Sequence, residues 1–209
     1  MSSWADEIES DLKWREAELG SLKIQAAAAP EKSDRQRALL RALWTMLYAH
    51  YEGFCKFCWD LLLDEIEKDG CARCDATEYM ARLSLVKVFQ ELRKDTSPSG
   101  IWSFVHNTLP QQMSKPLTFP VRLETQSNLW PTIVRKNNLT VGLTTKHIDA
   151  CAKQLGALVG RRNEIAHGRK LVVNSLDEYA EYEKAVMLVL HELAVAVVDT
   201  LDNRTFAQA

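Results

Sequence analysis

An unbroken helical pattern over residues 34–69 excludes any fold that cannot house a helix of that length. Leu39, Leu43, Leu47, Phe54, Phe57, Leu61 and Glu65 recur at spacings of three, four and seven residues, and Trp44, Met46, Cys58 and Leu62 thicken the stripe. Such spacing places the side chains on one face of an α-helix, the face that turns toward a core. Ser33 or Asp34 can cap the start, because a short side-chain oxygen accepts a free N–H of the first turn. Asp69-Gly70 ends the helix. Gly53, in its middle, costs about 1 kcal/mol relative to alanine and points to a close approach by a neighbouring helix.

The rest of the chain repeats this language. Residues 4–26 carry Trp4, Ile8, Leu12, Glu16 and Leu19 ahead of Pro30. A third helix is expected over 76–94, with Tyr79, Met80, Leu83, Val86 and Phe89 inward, and a short one over 100–109. Thr144 or Thr145 opens a further pattern, in which Ile148, Cys151, Leu155, Leu158 and Ile165 line one side up to Gly168. Ser175 and Glu178 have capping-box spacing. They begin a last helix that buries Tyr179, Tyr182, Val186, Leu190, Leu193, Val197 and Leu201. Residues 110–142 break the pattern with Pro110, Pro116, Pro120 and Pro131, and contain β-like pieces such as 117–123. The expected fold is all-α, a helical bundle of about five or six helices, with an irregular insertion at 110–142 that has room for a small β-hairpin. The whole of 1–209 reads as one domain, with 1–29 as its N-terminal helix.

Composition narrows the function. A net charge of -2 supplies no global field for nucleic acid, so any RNA site must be a local patch. Asp6, Glu7, Glu9 and Asp11 stand where a secretory signal needs an apolar core. No apolar run approaches the roughly 20 residues that span a bilayer. The odd count of 5 cysteines fits reduced thiols in a cytoplasm. Cys55-x-x-Cys58 and Cys71-x-x-Cys74 have zinc-compatible spacing. The first pair lies in the helical stripe, however, where a small apolar side chain fits well, and no metal or other cofactor is expected. His50, His106, His147 and His191 share no metal spacing, and His191 reads as a bundle residue. Trp44, Trp59 and Trp102 read as core. Trp130, in the proline-rich stretch, is kept as a contact for RNA or a protein partner.

The chemistry-bearing stretch is Arg161-Arg162-Asn163-Glu164-Ile165-Ala166-His167-Gly168. Arginine holds a phosphate in a planar fork of donors, and histidine exchanges a proton near neutral pH. Asn163 and His167 are four apart and share a helix face. Together these residues supply what RNA phosphodiester cleavage requires without a metal. A general base takes the 2′-hydroxyl proton, the oxygen attacks phosphorus, and a general acid protonates the leaving 5′-oxygen. The assignment gives His167 the proton and Arg162 the phosphate, with Asn163 orienting the phosphate or His167. Arg161, Arg169 and Lys170 could form a phosphate track, or merely offset the helix dipole at about 0.3–1 kcal/mol each. Glu52, among Tyr51, Gly53 and Phe54, either reaches Arg162 or His167 as an orienting partner or faces solvent.

Arg162-x-x-x-x-His167, written out as Arg-Asn-Glu-Ile-Ala-His-Gly, resembles the signature of the HEPN superfamily (higher eukaryotes and prokaryotes nucleotide-binding). Residues 39–63, with His50-Tyr51-Glu52-Gly53-Phe54-Cys55-Lys56-Phe57, resemble the long second helix of its MAE-type branch, close to the RiboL-PSP-HEPN group. The resemblance covers about residues 30–205. It implies a homodimer with a composite active site across a two-fold axis, and metal-independent endoribonuclease activity. It also implies a toxin of a toxin–antitoxin or anti-phage system; the irregularity of 110–142, apart from the resemblance, makes that stretch a contact surface for an antitoxin. The alternatives are a non-catalytic HEPN module that binds an antitoxin or nucleotidyltransferase, and a zinc-stabilised structural protein.

Overall fold

In the computed structural model, residues 3–170, 173 and 175–208 are described. Helix α1 spans Ser3–Ala28 and α2 spans Asp34–Asp69. Ser33 caps α2, its hydroxyl accepting the Gln36 N–H at 3.1 Å, and Gly70 stops it with a φ of 77°. Next come α3 (Glu78–Ser84), α4 (Val86–Leu92), α5 (Pro98–Ser103) and α6 (Leu109–Met113). They are followed by α7 (Pro131–Thr140), α8 (His147–Ala150), α9 (Ala152–Ala166) and α10 (Leu176–Asp202). The architecture is all-α, and no strand occurs among the described residues. No helix among them is long and apolar enough to cross a membrane.

The chain gathers into two compact units. The first holds the chain up to Cys58, Thr125–Arg135 and Thr145–Val195. Leu12 and Leu19 of α1, Leu43, Trp44 and Leu47 of α2, Leu155 and Leu158 of α9, and Tyr179 and Leu190 of α10 fill its core. Trimming one such leucine to alanine costs about 2–5 kcal/mol. The Trp44 indole N–H donates to the Leu158 carbonyl at 3.3 Å, so α9 is hydrogen-bonded to α2 as well as packed on it.

The second unit holds Trp59–Glu124, Lys136–Thr144 and the chain from Ala196 onward. Its organiser is the buried Arg73. The guanidinium donates to Ser84 Oγ at 2.7 Å, the Gln112 carbonyl at 2.9 Å and Thr118 Oγ1 at 3.0 Å. These bonds, with Leu117 N–H donating to the Cys71 carbonyl at 2.8 Å, draw 115–118 against 71–73. The result is a single bridge between Ala72 and Pro116. The hairpin expected near 117–123 is therefore absent: a side chain, not a second strand, satisfies this loop.

Several expectations are corrected. The helix over 76–94 breaks at Leu85 (φ −92°, ψ 4°), where the preceding Ser84 hydroxyl is taken by Arg73 and by the Thr118 N–H. Tyr79 is exposed rather than inward, its ring lying over Gly142. The helix over 100–109 widens into a π-helical turn at Phe104–Thr108. Pro110 has no N–H for the His106 carbonyl, and its ring would clash there, so the backbone opens. The 110–142 stretch is not wholly irregular, since α7 lies in it with Pro131 as its first residue, a favoured place for proline. The N-cap position of α8 falls on Lys146 rather than on Thr144 or Thr145. The Glu192 carboxylate of α10 accepts the Lys146 and His147 N–H groups at 2.7 and 2.9 Å. Trp102 is 68% exposed and stacks on His106 at 4.0 Å, not in the core.

Candidate active site at the end of α9

The motif occupies the last turn of α9 and the residues that stop it. Gly168 takes a left-handed φ of 73°, a conformation that costs an L side chain about 1–2 kcal/mol. Its N–H donates to the Ile165 carbonyl at 3.0 Å, and the Arg169 N–H donates to the Glu164 carbonyl at 2.9 Å. This pair of bonds is the Schellman closure of a helix. It leaves His167 as the last residue before the turn, exposed, with its N–H on the Asn163 carbonyl at 2.9 Å. Among the described residues the His167 ring has no hydrogen-bond or ionic partner.

Arg162 is held differently. Its guanidinium lies over the Tyr48 ring, 4.2 Å from the centroid, a cation–π contact of about 0.5–2 kcal/mol. Its Nη1 donates to Asn163 Oδ1 at 2.9 Å and to Asn128 Oδ1 at 3.3 Å. No carboxylate pairs with it among the described residues. Arg162 faces an open groove of about 490 Å³, which Tyr48, Glu52, Gly53, Lys56, Thr125 and Ser127 also line. Burial pushes the Tyr48 hydroxyl up from its ordinary value, and the neighbouring Glu52 carboxylate adds to the rise against the opposing Arg162 charge.

The structure thus brings Arg162, Asn163 and Glu52 to one place, with Asn163 on the arginine rather than on His167. Glu52 shares the groove with Arg162, and no ion pair joins them. Arg161 points elsewhere. Its guanidinium pairs with Glu178 and lies 4.8 Å from the Trp44 ring and 5.4 Å from the Tyr182 ring, so it ties α9 to α2 and α10. Arg169 is exposed and loosely paired with Glu164 at 3.6 Å, and Lys170 is exposed. Tyr48 and Asn128 were not evident from the sequence. Tyr48 lies four residues before Glu52 on α2, a spacing that could have linked them; Asn128 carries no sequence signal.

A second arginine–histidine pair lies in the same unit. Arg15 of α1 is buried, with Nε on Asp11 Oδ2 at 2.6 Å and Nη2 on Asp11 Oδ1 at 3.2 Å. Its Nη1 is 3.4 Å from His50 Nδ1, and His50 Nε2 is 2.8 Å from Glu18. A Cβ on Gly53 would stand 3.0 Å from Arg15 Nη1, which explains the glycine: it admits an arginine, not another backbone. Burial, then the Arg15 charge, lowers the His50 pKa from 6.5, with Glu18 and Asp11 opposing. Cys55 and Cys58 are buried on α2, and burial raises both thiols. Among the described residues no three histidine, cysteine or acidic side chains gather as a metal site.

The model of the family HEPN_MAE_28990/-like HEPN matches residues 4–206. The chain belongs to this HEPN family. No curated protein and no solved structure matches it.

Proposed function

We propose that the protein is a metal-independent endoribonuclease, with Arg162 on the scissile phosphate and His167 in proton transfer. The observation that carries this reading is the state of the two side chains. Arg162 is held by a ring and two amide oxygens with no carboxylate on it, and His167 is exposed without a partner among the described residues. A guanidinium left uncancelled can stabilise the charge that develops on phosphorus oxygens. An accessible imidazole can act as acid or base, a contribution of about 10²–10⁴-fold.

Five steps along a helix rotate a side chain by about 140°, so Arg162 and His167 of one chain do not point at one spot. A homodimer that brings α9 against its counterpart answers this, with one chain's Arg162 meeting the partner's His167. Asn163 and Glu52 then orient Arg162 and the ribose, and Arg169 and Lys170 extend the contact to flanking phosphates. A role as a cytoplasmic toxin or anti-phage effector, inhibited by a cognate protein, follows from the family resemblance.

The test is an RNA oligonucleotide cleaved in EDTA, beside the same strand with one 2′-deoxy nucleotide at the cut. Products ending in 2′,3′-cyclic phosphate, and no cut at the deoxy position, support the reading. Cleavage of DNA at a similar rate overturns it.

A further inference from the structure

Of the three described groups that touch the Arg162 guanidinium, one comes from outside the motif and from outside the α2 and α9 helices. Asn128 sits on the segment 125–130, where Gln126 and Ser127 take successive left-handed backbones with φ of 52° and 66°. Neither is glycine, so this turn is held against a local conformational cost. The hold is visible. The Tyr48 hydroxyl accepts the Leu129 N–H at 2.9 Å, and the ring of the same tyrosine carries the guanidinium. Tyr48 therefore fixes arginine and loop together, which aims Asn128 at the arginine.

Both amide contacts fall on one nitrogen. Nη1 donates to Asn128 and Asn163, while Nε and Nη2 donate to no described residue. Nε–H and Nη2–H form one edge of the planar group, two parallel donors that match two phosphate oxygens. The acceptors on Nη1 are neutral amides, so the guanidinium is oriented and its charge is not cancelled. Asp11 does the opposite to Arg15, occupying that same Nε/Nη2 edge with a carboxylate.

We propose that Asn128 is a positioning residue for Arg162, a neutral clamp that keeps the Nε/Nη2 edge presented to a phosphodiester oxygen pair in the groove beside Tyr48. The inference deepens the ribonuclease reading and rests on it for the identity of the anion as an RNA phosphate. Asparagine is suited to this place and aspartate is not. Aspartate keeps an acceptor for Nη1, and would bring a negative charge onto the phosphate-binding group.

The test compares wild type with Asn128→Asp and Asn128→Ala by RNA cleavage, thermal melting and phosphate titration. The titration follows the Arg162 Nε–H resonance in ¹⁵N-arginine-labelled protein, assigned by its loss in Arg162→Ala. Asn128→Asp is expected to melt no lower than wild type and to lose on the order of 10²-fold in kcat/KM, with the Nε–H shift on inorganic phosphate abolished. Asn128→Ala is expected to lose roughly 10-fold, through a guanidinium no longer held in place. A purely structural asparagine would leave Asn128→Asp fully active, and that result overturns the proposal. If the wild type cleaves no RNA, the ribonuclease reading fails, yet a phosphate shift present in wild type and lost in Asn128→Asp still supports the clamp. No shift in wild type, or equal shifts in both proteins, overturns it.

Discussion

Two arginine–histidine pairs occupy the first unit, and their surroundings have opposite effects. At Arg15 and His50 the arginine is 8% exposed, bonded twice by Asp11, and the histidine contacts Glu18. At Arg162 and His167 the arginine is oriented by Tyr48, Asn128 and Asn163, and the histidine stands open. The first is a closed polar knot, in which each charge is answered from within the chain. The second leaves a cation and an imidazole unanswered among the described residues, which is the condition for answering a ligand. Arg161 and Arg162 repeat the contrast between adjacent residues, since Glu178 cancels only the former. Residue type alone therefore does not mark a site. What marks it is whether the protein has spent the charge on itself.

The largest expected effect falls on the open pair. Arg162→Ala or His167→Ala should cut RNA cleavage by about 10²–10⁴-fold, with melting temperatures close to wild type, as read by initial rates and circular dichroism. Next comes the closed pair: Asp11→Ala strands a buried guanidinium and should cost about 3 kcal/mol of stability, measured by denaturant melts. Its catalytic rate per folded molecule should stay within a few-fold of wild type. A smaller effect is expected at Glu178→Gln, which frees Arg161 at a cost of about 0.5–1 kcal/mol. If cleavage then rose or fell tenfold, Arg161 would belong with the site after all.

Acidity separates the pairs in a gentler way. The His50 pKa is lowered in the folded protein, so the unfolded chain takes up the proton first. The stability contributed by neutral His50 is complete above the unfolded value near 6.5 and is lost as pH falls through the folded one. The melting temperature should drop as pH falls below about 6.5, and the drop should be shallower in His50→Gln. An identical slope in the variant would remove His50 from this role.

Much of this could be read from residue order. The bounds of α2 were readable because both ends carry local chemistry, the Ser33 hydroxyl and a left-handed Gly70. Gly168 closing α9 was readable for the same reason. The break at Leu85 was not, because the apolar spacing Leu83, Val86 and Phe89 runs straight across it while Arg73, eleven residues away, takes Ser84. Pro131 looks like punctuation in the sequence, yet it begins α7. At the candidate site the motif residues are neighbours along one helix end, and Glu52 lines the same groove as Arg162 with no ion pair between them. The supporting Tyr48 and Asn128 come from segments 114 and 34 positions away from Arg162, and nothing local in the chain ties them to it.

The most direct test of the contrast is one cleavage assay on total RNA in EDTA with four variants confirmed as folded: Arg162→Ala, His167→Ala, Arg15→Met and His50→Gln. Loss of cleavage in the first two, with retention in the last two, is the predicted result. Retained cleavage in Arg162→Ala and His167→Ala, or its loss in folded His50→Gln and Arg15→Met, would contradict the claim that the end of α9 is the site.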